Sequence, residues 1–295
     1  MWLRILAILF PIVAMVSVGY FYARRQPVDL SAANRLNMDV FVPALVFFAL
    51  AGKPLHLADY STLALAALVV VGGSGLLAWP LTRLLGYSPK TFVPPMMFNN
   101  SGNIGLPLAV LTWGESALPA AIVLFMVENT LHFSLGARWL DPAARLTQLW
   151  RIPVVSAALL GLAFNLAAWP LWEPLGIAIR MLGEIAVPLM LFSLGVRLAT
   201  TQTHEWQIGL VGAAFCPLSG LLLAALCIPL FGLEGRDAQM LLVFGSLPPA
   251  VLNYLFSERY HQSPEQVAAI VLIGNLAALI FLPLALVLAL GSIPN

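Results

Sequence analysis

The residues of this chain best suited to hold a polar ligand are grouped in one apolar stretch. Residues 91–113 read TFVPPMMFNNSGNIGLPLAVLTW, with Asn99, Asn100, Ser101, Gly102, Asn103 and Gly105 in the middle and Pro107 just beyond. Glycine and asparagine tolerate non-helical backbone, and proline lacks an N–H and clashes with the preceding turn, so the run predicts a broken helix. Side-chain amides at the break donate and accept hydrogen bonds without net charge. A half-helix starting there adds free N–H groups and a partial positive charge that favour an anion. A second break is expected in residues 238–260, AQMLLVFGSLPPAVLNYLFSERY, at Gly245, Ser246, Pro248 and Pro249, with Asn253 four residues on. Alone, this second run also fits a proline kink between packed helices.

A third group could move protons. Residues 117–140, ALPAAIVLFMVENTLHFSLGARWL, place Glu128 near the centre of an apolar segment, with Asn129 beside it and His132 four residues on. The i, i+4 spacing puts Glu128 and His132 on one helix face. A charge in the middle of a membrane costs at least about 2.5 kcal/mol, so the carboxyl must be neutralised or paired. Glu128 and His132 form a candidate proton relay, the alternative being a hydrogen-bonded clamp between helices.

The elements that position these groups follow from composition. Of 295 residues, 61% are hydrophobic and 9% charged, and mean hydropathy is +0.93. Soluble domains carry about 25% charged residues, so the chain reads as an all-α polytopic membrane protein whose partner is the lipid bilayer. With 14 Lys+Arg against 13 Asp+Glu it has no basic field for nucleic acid. Cys216 and Cys227 share no CxxC or Cys/His pattern and read as small buried hydrophobes, and no metal or cofactor is implied. The N-terminal apolar run ends in Arg24 and Arg25 and lacks a small-x-small cleavage site, so it is read as a retained span, not a signal peptide.

A hydrocarbon core about 30 Å thick needs roughly 20 helical residues. On that ruler ten spans are expected, near 2–22, 36–52, 60–82, 91–113, 117–138, 151–170, 176–198, 207–230, 238–257 and 266–290. All eight tryptophans fall near their ends, as interfacial aromatics do. Span 2 carries Arg35, Asp39, Pro43 and Phe47, and span 7 carries Arg180, Glu184, Pro188 and Phe192, each pair offset by 145 residues. Five spans separate the copies, so the second is inverted in the membrane. The chain thus reads as a single transmembrane domain made of two five-helix repeats, 1–145 and 146–295, an arrangement typical of secondary transporters. The Arg/acid pairs themselves read as interfacial ion pairs.

These residues also carry a resemblance. Asn100 to Leu108 (NSGNIGLPL), Phe192 to Gly195 (FSLG), Ser246 to Val251 (SLPPAV), Ile273-Gly274, and Ala33 to Arg35 ahead of Pro43 resemble the auxin efflux carrier family, which includes plant auxin carriers and bacterial dicarboxylate permeases. The resemblance implies ten spans in an inverted repeat, similar to the bile-acid/sodium symporters. Spans 1, 2, 6 and 7 would form a scaffold, and spans 4 and 9 would cross within a mobile core that moves as an elevator. By resemblance, Asn100 would contact a substrate carboxylate beside the crossing. Asn103, Ser101, Gly105, Pro107, Pro248, Pro249 and Asn253 complete the expected binding region, and Glu128 with His132 the coupling group. The long cytoplasmic loop of the plant carriers is missing. Their charged pair around span 3 is at best half present, with Asp59 followed four residues on by Leu63. Auxin is therefore not implied as the substrate; a small organic acid is.

Competing classes lack their signatures: no Walker motif for ATP-driven pumping, no H-E-x-x-H for zinc proteolysis, and no aspartate cluster for prenyl transfer. A channel or sensor fits the composition but leaves the paired breaks unexplained. The architecture also suits a homodimer through the scaffold, in a bacterial inner membrane. Loops after odd spans hold Arg24, Arg25, Arg35, Arg83, Lys90, Arg138, Arg145, Arg151, Arg197 and Arg259, against Arg4, Lys53, Arg180 and Arg236 on the other side. The positive-inside bias then predicts both termini outside. Reporter fusions at Asn295 and near Arg145 should give opposite signals, and a cytoplasmic C-terminus would overturn the span parity.

Overall fold

A computed structural model describes residues 2–51, 57–142, 152–201 and 204–292 of the chain. Lys53, Arg145, Trp150, Arg151 and Asn295 lie outside the described residues. Twelve helices account for the described fold. They are α1 (Trp2–Arg25), α2 (Ser31–Ala51), α3 (Leu57–Leu85), α4 (Pro89–Met97), α5 (Leu106–Trp113), α6 (Glu115–Leu140), α7 (Pro153–Leu166), α8 (Glu173–Thr200), α9 (Trp206–Phe231), α10 (Gly235–Gly245), α11 (Leu252–Arg259) and α12 (Pro264–Ser292). Seven of them, α1, α2, α3, α6, α8, α9 and α12, are long and apolar enough to cross a membrane. Large apolar side chains such as Leu3, Phe10, Leu76, Met181, Leu222 and Ile280 stand exposed on these helices, as suits a surface bathed in lipid. The chain is a polytopic membrane protein.

The segments expected as spans 4 and 9 are each interrupted, as the glycine, asparagine and proline runs predict. α4 ends at Met97, the chain becomes extended at Phe98 (φ −103°, ψ 105°), and a π-helical turn over Ser101–Gly105 leads into α5. α10 stops at Gly245 and α11 begins at Leu252. Span 6 departs from expectation: the 20 residues at 151–170 yield a helix of only 14, Pro153–Leu166, because Ala168 turns to a positive φ of 50° ahead of Trp169-Pro170. The match between spans 2 and 7 is also imperfect. Arg180 and Glu184 pair at 2.9 Å on a regular α-helix, but a π-helical turn at Asn37–Phe41 separates Arg35 from Asp39. That turn adds about one residue to its repeat and shifts the two side chains off a common face.

The helices pack in two groups. α1 lies along α8, and α2 lies against α7 and α8; the other group gathers α3, α4, α5, α6, α9, α10, α11 and α12, with α9 packed on α3, α10 and α12. Between the groups contact is sparser, through α1 with α5 and α12, α2 with α6, and α8 with the turn at 101–105. Small residues set the closest approaches, as they do between helices in lipid. A Cβ on Gly19 would overlap the Phe192 carbonyl, and one on Gly195 would overlap the Val16 carbonyl. This accounts physically for the FSLG run: its glycine lets α1 and α8 touch backbone to backbone. Gly195→Val should force these helices apart at a cost of about 1–3 kcal/mol and lower the thermal unfolding midpoint of the detergent-purified protein. An unchanged midpoint would show that the two helices are not held at this distance.

Candidate functional site

The site is built where the two breaks meet. Asn99 and Pro249 form a single antiparallel bridge: the Asn100 N–H donates to the Pro248 carbonyl at 2.7 Å and the Ala250 N–H to the Phe98 carbonyl at 2.9 Å. Pro248 and Pro249 carry no N–H, so the second break presents carbonyls that the first must satisfy. The asparagines complete the exchange. Asn99 Nδ2 donates to the Phe244 carbonyl at the end of α10 (2.7 Å), and Asn253 Nδ2 donates to the Phe98 carbonyl just after α4 (2.9 Å). Each break therefore caps the half-helix of the other.

Asn275, from the middle of α12, closes the arrangement. Its amide donates to the Pro249 carbonyl at 3.0 Å and to the Val271 carbonyl at 2.8 Å, while its Oδ1 accepts from Asn100 Nδ2 at 2.8 Å. Sequence reasoning missed Asn275, although a lone asparagine in so apolar a helix was a readable signal.

Beside the crossing lies a cavity of about 200 Å³, between the two helix groups. Its polar lining comes from Asn34 and Asn37 of α2, Asn99, Asn100 and Asn103 of the first break, Glu128, Asn129 and His132 of α6, and Ser193 and Arg197 of α8. Among the described residues, most of the buried side-chain N and O atoms left without a hydrogen-bond partner belong to it: Asn37 Oδ1, Asn99 Oδ1, Glu128 Oε1, both ring nitrogens of His132, and Ser193 Oγ. Buried polar atoms are nearly always paired, so such a concentration singles this cavity out as the candidate site.

Glu128 and His132 are only 2% and 1% exposed. Glu128 Oε2 accepts from Ser101 Oγ and from Asn129 Nδ2, both at 2.9 Å. Glu128 Oε1 stands 3.3 Å from His132 Nδ1, close enough for an ion pair, yet neither atom makes an aligned hydrogen bond. The imidazole is clamped by aromatic rings, stacked on Phe98 at 4.1 Å and 8° and edge-on to Phe256 at 4.8 Å. Glu128 thus touches the first break through Ser101 and shares a helix face with His132, as the spacing predicts.

The remaining expected site residues are distributed around the crossing. Asn100 and Asn103 line the cavity, and one amide hydrogen of Asn100 is already given to Asn275. Ser101 is bound to Glu128, and Gly105 lies where a Cβ would press on Leu247 of the second break. Pro107 is buried in the first turn of α5. Pro248 and Pro249 contribute carbonyls, and Asn253 acts as a cap, so these three shape the crossing. Asn34, Asn37, Ser193 and Arg197 were not foreseen; Arg197 reads from sequence as one more basic residue at a helix end. Cys216 and Cys227 are buried free thiols.

An all-helical membrane protein with paired helix breaks around a polar cavity has the form of a membrane transport protein, and comparison with known proteins supports that class. A family described as "Membrane transport protein" matches residues 143–286. The chain is 23% identical over 291 residues to the "Uncharacterized transporter YfdV" of Escherichia coli (strain K12), covering 86% of this chain and 87% of that protein. It is 26% identical over 194 residues to the "Putative malonate transporter" of Rhizobium meliloti (strain 1021), covering 61% and 60%. It is 24% identical over 187 residues to "Auxin efflux carrier component 6" of Arabidopsis thaliana, covering 61% of this chain and 30% of that protein. The resemblance to the auxin efflux carrier family is borne out.

Asn275→Ala tests the crossing. It strips the Pro249 carbonyl and the Asn100 amide of buried partners, at about 1–3 kcal/mol for each group left unmet. The purified variant should unfold at a clearly lower temperature than the parent, and equal stability would show that Asn275 does not hold the breaks together.

Proposed function

We propose that the protein is a secondary active transporter of small organic anions, with carboxylates as the substrate class and the cavity at the crossing as the binding site. The observation that carries this reading is the set of unpartnered buried polar atoms enclosed between the two helix groups. A volume of about 200 Å³ suits a small metabolite, since drug-sized ligands occupy about 300–1,000 Å³. The amides of Asn100 and Asn103 are suited to a carboxylate, and the similarity to a relative named for malonate points the same way.

Ten spans in two inverted repeats belong to this proposal. It is supported by the reciprocal capping of the two breaks and by Asn129 on α6 and Asn275 on α12, 146 residues apart, close to the 145-residue offset of spans 2 and 7. The movement is an elevator: α3–α6 with α9–α12 slide as a core against α1, α2, α7 and α8, carrying the crossing and its ligand past the scaffold residues that complete the cavity. Sparse contact between the groups and dense contact within them supports such a rigid-body shift.

Coupling falls to Glu128. An ionised carboxylate in the same small cavity repels an anionic substrate, whereas a protonated one donates a hydrogen bond to it. Proton binding and anion binding then favour each other, which is symport. A second reading has its own observation: Asn37 Oδ1, Asn99 Oδ1, Glu128 Oε1 and Ser193 Oγ are four oxygens without an aligned hydrogen bond on residues lining one cavity, and hard cations prefer oxygen ligands. Sodium would then replace the proton.

Uptake of labelled organic acids into proteoliposomes, under an imposed pH gradient or an imposed sodium gradient, decides among these. We expect a pH gradient to drive uptake. Glu128→Gln keeps size and hydrogen bonding but cannot titrate, so it should bind substrate while losing its response to the gradient. Transport by Glu128→Gln that follows the pH gradient as the parent does would make Glu128 a structural clamp. Dependence on sodium at fixed pH would favour the cation reading, and no flux of any organic acid would overturn the transporter assignment.

A further inference from the structure

Arg197 stands at the junction of two cavities. It lines the 200 Å³ cavity at the crossing and also a larger one of about 540 Å³ enclosed by the end of α8, α11 and the start of α12, and Leu194, Val251 and Leu255 line both with it. The side chain is half-buried, and among the described residues no carboxylate oxygen lies within 4 Å of its guanidinium. Glu258, which lines the larger cavity, accepts instead from the Tyr254 hydroxyl at 3.3 Å. Among the described residues around the smaller cavity, Arg197 is the one side chain with a permanent positive charge. The neutral amides of the first break, Asn100 and Asn103, line the same cavity.

We infer that Arg197 is the residue that selects for dianionic substrates: its guanidinium takes one carboxylate at the neck of the cavity while the amides of Asn100 and Asn103 take the other. The inference rests on the organic-anion reading above and assigns a charged specificity residue to it. The chemistry is suited to the place. A guanidinium presents a planar fork that matches a carboxylate with two parallel hydrogen bonds and stays charged at every accessible pH. Neutral amides suffice for one carboxylate, but a second charge in a small membrane cavity needs a cation. An acid with a single carboxylate satisfies the amide end and leaves the neck unfilled. Arg197 also belongs to α8, on the scaffold side, and the amides belong to the break, on the core side. A dianion bound to both spans the boundary between the groups that slide.

Arg197 also sits in the last turn of α8, where any cation favours the helix end. That role makes no distinction between ligands, so a comparison of two acids separates the two accounts. Malonate and propionate have the same number of carbons and differ by one carboxylate. Binding to the purified full chain in detergent is measured by titration calorimetry, with size-exclusion profiles checking the fold. The parent should bind malonate at least about tenfold tighter than propionate. Arg197→Gln should weaken malonate about ten- to a hundredfold, the range for a hydrogen-bonded charged contact, and change propionate less than about threefold. Arg197→Lys, which keeps the charge without the fork, should hold part of the preference and serves if the glutamine variant does not fold. Equal losses for both acids, unchanged malonate binding in Arg197→Gln, or a parent that binds both acids alike would overturn the inference and leave the organic-anion site standing. A parent that binds neither acid would overturn the site as well.

Discussion

A backbone amide or carbonyl inside a bilayer has no water to turn to, and the rest of this structure depends on how that demand is met at two places. Both breaks interrupt apolar helical segments and leave N–H and C=O groups without partners in their own helix. Neither could be tolerated alone. Together they exchange main-chain hydrogen bonds between Asn100 and Pro248 and between Ala250 and Phe98, and each lends an asparagine to the open end of the other. Pro248 and Pro249 bring carbonyls but no N–H groups of their own to this exchange. Asn275 supplies the missing donor to Pro249. The crossing is therefore a set of hydrogen bonds assembled from three separate segments.

Satisfying the backbone in this way leaves side-chain groups free beside it. Asn100 and Asn103 of the first break, with Glu128 and His132 of α6, line one small cavity. Aromatic rings of Phe98 and Phe256 hold the imidazole in place without hydrogen-bonding it. The Ser101 hydroxyl links Glu128 directly to the first break. This link gives the proposed coupling a physical route.

The other side of the cavity is supplied by α2 and α8, which belong to the other helix group. A ligand bound there, as proposed, would touch both groups at once and so alter how they adhere. At the opposite end of α8, Arg180 reaches Glu115 at the start of α6 as well as Glu184 on its own helix. These side chains are half or more exposed, so the bridge between groups is weak and easily broken. Tight glycine-mediated packing of α1 on α8 and weak ties across the boundary are what the proposed sliding of the groups would require.

The sequence by itself determined the features that are local in the chain. Low charge and long apolar runs dictate membrane helices, and glycine, asparagine and proline dictate where two of them break. A four-residue step puts Glu128 and His132 on one face, because each of these follows from composition or helical period. Span 6 and the Arg35–Asp39 step misled for local reasons too: a short helix ending at Ala168 and a π-helical turn at Asn37–Phe41 leave no plain mark in the residue pattern. What only the tertiary structure decided is who meets whom. That Asn99 caps α10, that Asn275 ties both breaks, and that Asn34, Asn37, Ser193 and Arg197 complete the cavity depends on how separate helices rotate and pack. A single polar residue in an apolar helix announces that it needs a partner but carries no information about which distant segment will provide one.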